Sequence, residues 1–353
     1  MANRVGIAGA IDKKSVPAHE WNDWRWQFRN RVRSLSGLAG LLRVPVTALS
    51  SWRRVLQAYP VAITPYYLSL FNPADEDDPL RRQCFPDPRE INFSLGGVED
   101  PLSEERDMPV PGLIHRYPDR CLAIVTNTCA VYCRHCNRKR LWKKVAPSAK
   151  DRLQAMIDYV RRTPELREVI ISGGDPLMIP EETLDWFLGS LKSLPNVEVL
   201  RIGSRAPVTL PMRITGKLCA MLRKHRPLWL NTQFNHSREI TPESAQACQL
   251  LLEAGIPVSN QSVLLKGVND DYETMKDLLY SLERIAVRPY YLFQGDPVRG
   301  TDHFRTDIWV GMELMEKLWR NISGLCLPRF VIDSPGGRGK IPLQPFSLLP
   351  EKG

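Results

Sequence analysis

From residue 121 onward the chain is punctuated by short β-branched or aliphatic runs: Cys121 to Thr126, Glu168 to Ser172, Val197 to Ile202, Leu228 to Gln233, Pro257 to Val263 and Val287 to Phe293. After the first, their starts step by about 30 residues, the length of one strand plus its crossover helix in a parallel sheet. Strands of that kind are buried on both faces. Five successive units therefore predict an α/β fold, a (β/α) barrel or a large part of one, with functional residues at the carboxyl ends of the strands. Phe330 to Asp333 extends the pattern by one strand. Upstream, Trp21, Trp24, Phe28, Val32 and Leu35 recur at helical spacing and predict amphipathic helices packed on the barrel. Between Asn72 and Glu105 the chain turns acidic and proline-punctuated, with Asp75-Glu76-Asp77-Asp78-Pro79 and Glu99-Asp100-Pro101, which predicts a wrapping arm or linker with little regular structure. The expected organisation is a helical region and arm over 1–110, a barrel core over 111–320 and a C-terminal segment over 321–353.

Composition narrows the function classes. The chain has 353 residues, 43% of them hydrophobic, enough for one large core with additions at its ends. No apolar run reaches the roughly 18 residues of a membrane span, and Val5 to Ile11 is too short for a signal peptide, so a cytoplasmic protein is expected. The formal charge of +9 comes from Lys and Arg spread along the chain without a basic, aromatic-interleaved run, so no nucleic acid is expected as a partner. Eight cysteines, three of them close together, suit ligands in a reducing compartment better than a secreted disulfide framework.

Those three form Cys129-Ala130-Val131-Tyr132-Cys133-Arg134-His135-Cys136, directly after the first predicted strand and so at the mouth of the barrel. Thiolates are soft ligands that hold iron-sulfur clusters, one per iron. Three thiolates for four irons leave one iron open to chelate the amino and carboxylate groups of S-adenosylmethionine. Two other readings of the same residues are a structural zinc that adds His135, and unliganded buried cysteines. Zinc sites usually add a second ligand pair well downstream, which is absent here.

A CxxxCxxC loop after the first strand of a βα barrel resembles the signature of the radical S-adenosylmethionine superfamily. The resemblance implies a 4Fe-4S cluster on Cys129, Cys133 and Cys136, with S-adenosylmethionine held by Gly173, Gly174 and Asp175 at the end of the second strand and by Gln261. Cys84, Cys121, Cys219, Cys248 and Cys326 are then dispensable for the cluster. Further blocks, Trp21-Asn22-Asp23-Trp24, His115-Arg116-Tyr117-Pro118-Asp119-Arg120, Arg201-Ile202-Gly203-Ser204-Arg205, Asn260-Gln261-Ser262-Val263, Arg288-Pro289-Tyr290-Tyr291 and Pro335-Gly336-Gly337-Arg338-Gly339-Lys340, are similar to lysine 2,3-aminomutases. That family resemblance implies a pyridoxal-phosphate-dependent isomerase that moves an α-amino group to the β-carbon. It places the pyridoxal phosphate Schiff base on Lys340, in the C-terminal segment, and the cofactor phosphate on Arg116, Tyr117 and Arg120. Arg138 is expected to hold the substrate carboxylate, and Asp296 with Asp333 the ε-ammonium of a basic amino acid, lysine first. An external electron donor such as flavodoxin or ferredoxin is implied as a partner, and a homo-oligomer is left open.

Departures from the pattern matter too. Gln233 stands where a histidine is expected, and Arg299, near Asp296, is expected to compete for that carboxylate. The C-terminal cysteine cluster that binds zinc in some members is missing, so no zinc is expected. The alternatives are an aminomutase for arginine, ornithine or glutamate, a donor-modifying relative that acts on lysine for a translation factor, and, from another class, an RNA-binding iron-sulfur or radical modification protein.

Overall fold

The computed structural model describes residues 13–92, 96–143, 150–334 and 339–343. Its centre is a nine-stranded sheet in strict chain order: β1 (Leu113–Tyr117), β2 (Arg120–Thr126), β3 (Glu168–Gly173), β4 (Val199–Gly203), β5 (Leu228–Thr232), β6 (Val258–Leu264), β7 (Arg288–Gln294), β8 (Arg329–Asp333) and β9 (Lys340–Pro342). Strands β2 through β8 run parallel, and β1 and β9 are antiparallel edges. Helices Lys150–Arg161, Glu181–Lys192, Gly216–Arg223, Pro242–Glu253, Tyr272–Arg284 and Ile308–Asn321 make the crossovers. All six expected strands and the terminal one are present, with ends shifted by one or two residues. The flanking β1 and β9 are additional to the expectation; five and three residues are too short for periodicity to mark.

The sheet curls, because residues from β1 to β9 line a single cavity of about 580 Å³. Alternation decides what faces it. Ala123, Val125, Val169, Ile171, Leu200 and Ile202 are fully buried under the helices, while their neighbours Leu122, Ile170, Ser172, Arg201 and Gly203 line the cavity. The architecture is a partial (β/α) barrel with a polar interior.

The N-terminal region corrects one expectation. The Trp21 to Leu35 periodicity does not make a continuous helix: Ala18–Trp21 and Trp24–Arg29 are separate, with Asp23 accepting from the Arg25 N–H as a cap between them. Val32 instead bridges Ile63. Helical spacing of apolar residues is necessary for an amphipathic helix, and a local cap is enough to interrupt it.

The acidic stretch is an arm, and it is more ordered than its composition implies, with helical turns at Pro79–Arg82 and Pro88–Ile91. It grips the cysteine loop. Arg134 donates from Nε to Glu90 Oε1 at 2.9 Å and from Nη2 to Oε2 at 2.6 Å, and Lys139 Nζ donates to the same Oε2 at 2.8 Å. All three side chains are almost wholly buried. Burial alone would raise the Glu90 carboxyl, but Arg134 and Lys139 overcome it and hold it below the ordinary range. Arg134 also caps the Pro60 carbonyl, and Lys139 the Gly300 carbonyl, so the triad ties together the N-terminal region, the cysteine loop and the loop after β7. At Gly97 the arm backbone lies so close to that last loop that a Cβ would stand 2.8 Å from the Val298 carbonyl. Removing Glu90 leaves two buried cations without their partner. Glu90→Ala is therefore expected to cost about 3–5 kcal/mol of stability, read as a lowered denaturation midpoint. A midpoint equal to that of the wild type refutes this account.

Candidate active site

The cysteine loop leaves the end of β2 and is held by backbone geometry. Gly174 N–H donates to Thr126 O and Asp175 N–H to Thr128 O at 2.8 Å, pinning the chain just before Cys129. Only glycine fits there: Gly173 has φ +128°, and a Cβ on Gly174 would lie 2.5 Å from Thr128 O. From the other side, Tyr132 N–H donates to Ala62 O, Arg134 N–H to Gln83 O, and Arg31 to the Cys129 carbonyl. Cys129, Cys133 and Cys136 all border the cavity. Their surroundings supply N–H groups to sulfur: the Arg138 N–H lies 3.3 Å from Cys136 Sγ and Arg205 Nη1 lies 2.8 Å from Cys133 Sγ. Burial raises the Cys129 thiol well above its ordinary value and pushes Cys136 to about 11, so metal loading must expel these protons. Among the described residues no three His, Cys, Asp or Glu side chains converge as the ligands of a single ion would. Such spreading is compatible with a cluster, which offers each thiolate its own iron.

The Asp175 carboxylate is spent on the protein. It accepts from Ser204 Oγ at 2.8 Å, from the Leu177 N–H at 3.0 Å and from the Arg205 N–H at 3.0 Å, bracing the ends of β3 and β4. Gln261 lines the cavity from β6. Gln233 faces His135, with Nε2 atoms 3.2 Å apart. Burial holds the His135 imidazole well below its ordinary value, and its Nδ1 is buried without a partner among the described residues, as is Thr232 Oγ1 at the end of β5. Orphaned polar atoms around a cavity bordered by three thiols fit a polar ligand such as S-adenosylmethionine.

The opposite part of the cavity is cationic and aromatic. Arg116, Tyr117 and Arg120 come from the β1–β2 hairpin and border the cavity together with Lys340 on β9. Arg116 Nε donates to Asp107 at 2.9 Å, and Arg120 donates to Asp119 at 2.7 Å while stacking 3.7 Å over the Tyr117 ring. The Tyr117 hydroxyl is buried and unpartnered among the described residues, so two guanidinium groups and an unused hydroxyl fit the phosphate of pyridoxal phosphate. Pro335 to Arg338 of the glycine-rich stretch lie outside the described residues. Lys340 Nζ donates to Asp333 Oδ1 at 2.9 Å. Asp296 accepts from Asn137 Nδ2 at 3.2 Å; burial, and then the neighbouring Asp333, push its carboxyl up to about 6.

Two substrate expectations meet new neighbours. Arg138 is engaged by Glu104, from the arm, through Nε at 3.0 Å and Nη2 at 2.6 Å. Arg299 does not turn to Asp296: its guanidinium lies 3.5 Å from Glu99, while its backbone N–H pairs with Val98 O, so the arm draws it outward. Glu90, Glu104 and Asn137 are site residues that sequence reasoning missed. The acidic arm was the only signal for the two glutamates, and its composition reads as a wrapping arm or linker without saying what it grips; Asn137, just past the cysteine loop, had no signal of its own.

Residues 123–279 match the family model of the Radical SAM superfamily. With the cysteine loop at the mouth of a partial barrel, they define the protein as a radical S-adenosylmethionine enzyme. Residues 315–352 match the model described as Lysine-2,3-aminomutase. The chain is 49% identical over 337 residues to the L-lysine 2,3-aminomutase of Clostridium subterminale, covering 95% of this chain and 81% of that one. It is 47% identical to that of Bacillus subtilis (95% and 72% covered) and 41% identical to the glutamate 2,3-aminomutase of Clostridioides difficile (94% and 78% covered). The chain belongs to the lysine 2,3-aminomutase family, whose cofactors are a 4Fe-4S cluster, S-adenosylmethionine and pyridoxal phosphate.

Two experiments test the residue assignments. Anaerobically reconstituted protein is expected to carry about four irons per chain, and Ala at Cys129, Cys133 or Cys136 to abolish reductive cleavage of S-adenosylmethionine; normal cleavage in all three variants refutes the ligand set. Borohydride reduction is expected to fix pyridoxal phosphate on a peptide containing Lys340, and Lys340→Ala to lose that adduct while keeping its iron. Label on another lysine of the wild type refutes the placement.

Proposed function

We propose that the protein moves the α-amino group of L-lysine to its β-carbon. The observation that carries the substrate is the Asp296 and Asp333 pair: Asp333 already accepts from an alkylammonium, that of Lys340, whose charge also acts on the neighbouring Asp296. A cavity wall that binds the protein's own lysine head is chemically suited to a free lysine side chain. A glutamate substrate would instead bring a third carboxylate to two.

When bound, the cluster with S-adenosylmethionine supplies a radical that abstracts a hydrogen atom, and pyridoxal phosphate supplies an aldehyde for the amine and a ring that delocalises the unpaired electron. The chain's own residues do the placing. Lys340 would hold the cofactor aldehyde in the absence of substrate, Arg116, Tyr117 and Arg120 would hold its phosphate, and Arg138 would take the substrate carboxylate. Asp333 and Asp296 receive the distal ammonium, which fixes the reacting carbons between the two halves of the cavity. The proposal includes an external one-electron donor, such as flavodoxin or ferredoxin, because neither lysine nor S-adenosylmethionine supplies the starting electron. None of the eight cysteines is paired in a disulfide, which supports a reducing, cytoplasmic setting. No described helix is long and apolar enough to cross a membrane.

Turnover of lysine against norleucine tests the reading, since norleucine has a similar chain and no ammonium. A charged hydrogen bond contributes roughly 1.5–3 kcal/mol, so Asp333→Ala is expected to lower kcat/KM for lysine by about ten- to a hundredfold. Full lysine turnover in Asp333→Ala, or glutamate outcompeting lysine in the wild type, refutes it. The pH dependence has a defined sign. Asp296 takes a proton as the pH falls through about 6, which removes one of the two charges facing the ammonium. KM for lysine is therefore expected to rise on acidification through that range, and a KM that stays flat there argues against Asp296 in this role.

A further inference from the structure

We infer that Glu104 is a positioning residue for recognition of the substrate carboxylate: it holds one edge of the Arg138 guanidinium and leaves the other edge to the ligand. The inference rests on the assignment of Arg138 proposed above.

A guanidinium has five N–H donors arranged in a plane, enough for a bidentate carboxylate on each of two edges. Glu104 takes the side edge, with Nε at 3.0 and 3.1 Å from its two oxygens and Nη2 at 2.6 Å. Among the described residues Arg138 Nη1 takes no partner, and Arg138 borders the cavity. The end edge, Nη1 with the second Nη2 hydrogen, is thus the one available to a second carboxylate.

Glu104 is not placed as a competitor that substrate must eject. It is 3% exposed, and its Oε2 also accepts from Arg140 Nη2 at 2.7 Å, so ejection would strand a buried carboxylate and break contacts to two cations. Burial would raise its carboxyl, but Arg138 and Arg140 hold it near about 2, so it stays ionised wherever the enzyme is folded and active. Arg140 balances the Glu104 charge and itself lies 3.0 Å from Asp100. With Arg138 and Asp100 counted, two cations face two carboxylates and the cluster is neutral, so the anchor adds no charge for recognition. The anchor instead restrains a long side chain with several rotatable bonds, so less entropy is lost when the substrate carboxylate arrives.

The test compares two ligands on holoenzyme: lysine, and cadaverine, which keeps both amines and lacks the carboxylate. Binding is measured by titration calorimetry for the wild type, Glu104→Gln and Glu104→Asp, with iron content and melting temperature as folding controls. Glu104→Gln is expected to weaken lysine about tenfold and leave cadaverine within about twofold; Glu104→Asp, which keeps the charge and shortens the reach, is expected to show the same selectivity with a smaller loss. If the Gln variant does not fold, the Asp variant carries the same comparison. Equal weakening of both ligands would mean a structural role, and unchanged or tighter lysine binding would mean no role or a competing one; either overturns the inference. Should wild-type enzyme bind cadaverine as tightly as lysine, the Arg138 assignment itself fails, and the inference with it.

Discussion

A carboxylate with no water around it organises this molecule. Glu90 is wholly buried, and ionisation there is sustainable only because Arg134 and Lys139 surround it with matched charge. Both cations belong to the cysteine loop or its continuation. The loop itself has no regular secondary structure through its three thiols, so its shape is imposed by what it binds: Glu90, the Pro60 and Gly300 carbonyls, and the Thr126 to Thr128 backbone under Gly174. A cluster loop with loose thiols would pay an ordering cost each time it met iron; one clamped by charges in a dry interior has met that cost on folding.

The barrel interior is divided between two chemistries. Toward the carboxyl ends of β2 to β5 lie thiols, glycine-backed turns and orphaned polar atoms, and along the β1–β2 hairpin, the loop after β7, β8 and β9 lie guanidinium groups, a phenol, two aspartates and the lysine. A partial barrel suits this division. Antiparallel β1 and β9 extend the parallel sheet on either side and bring Tyr117 and Lys340 to facing walls, with the lysine nitrogen 5.9 Å from the tyrosine ring centre. The arm then covers the mouth and supplies carboxylates that hold Arg134 and Arg138.

Much of this was legible in the sequence, and the reason is periodicity. The parallel strands and their order follow from buried apolar runs spaced by crossover helices, and the position of the three-thiol loop at the cavity from its place after the first of them. The roles of Lys340, Asp296 and Asp333 rest on family resemblance, since a lysine after glycines or an aspartate before proline is usually only a turn. What could not be read was pairing over long distance. Glu104 and Arg138 are far apart in the chain, as are Glu90 and Arg134, and no local rule links an acidic, proline-rich stretch to a particular arginine in a loop. The misread Arg299 has the same cause: proximity to Asp296 in sequence suggested competition, whereas the arm packed against Val298 turns the side chain toward Glu99.

The last strand has a consequence for how the enzyme is made. β9 joins the sheet only by pairing with β8, with the Leu343 N–H bonding the Phe330 carbonyl to complete the register. A chain emerging from the ribosome therefore exposes the cluster loop and most of the parallel sheet well before it exposes Lys340. The half of the cavity bordered by the three thiols can be shaped first, and the half bordered by Lys340 is finished later, by a short edge strand held on one side. An unfinished chain thus carries the three thiols of one half of the cavity before the amine that completes the other.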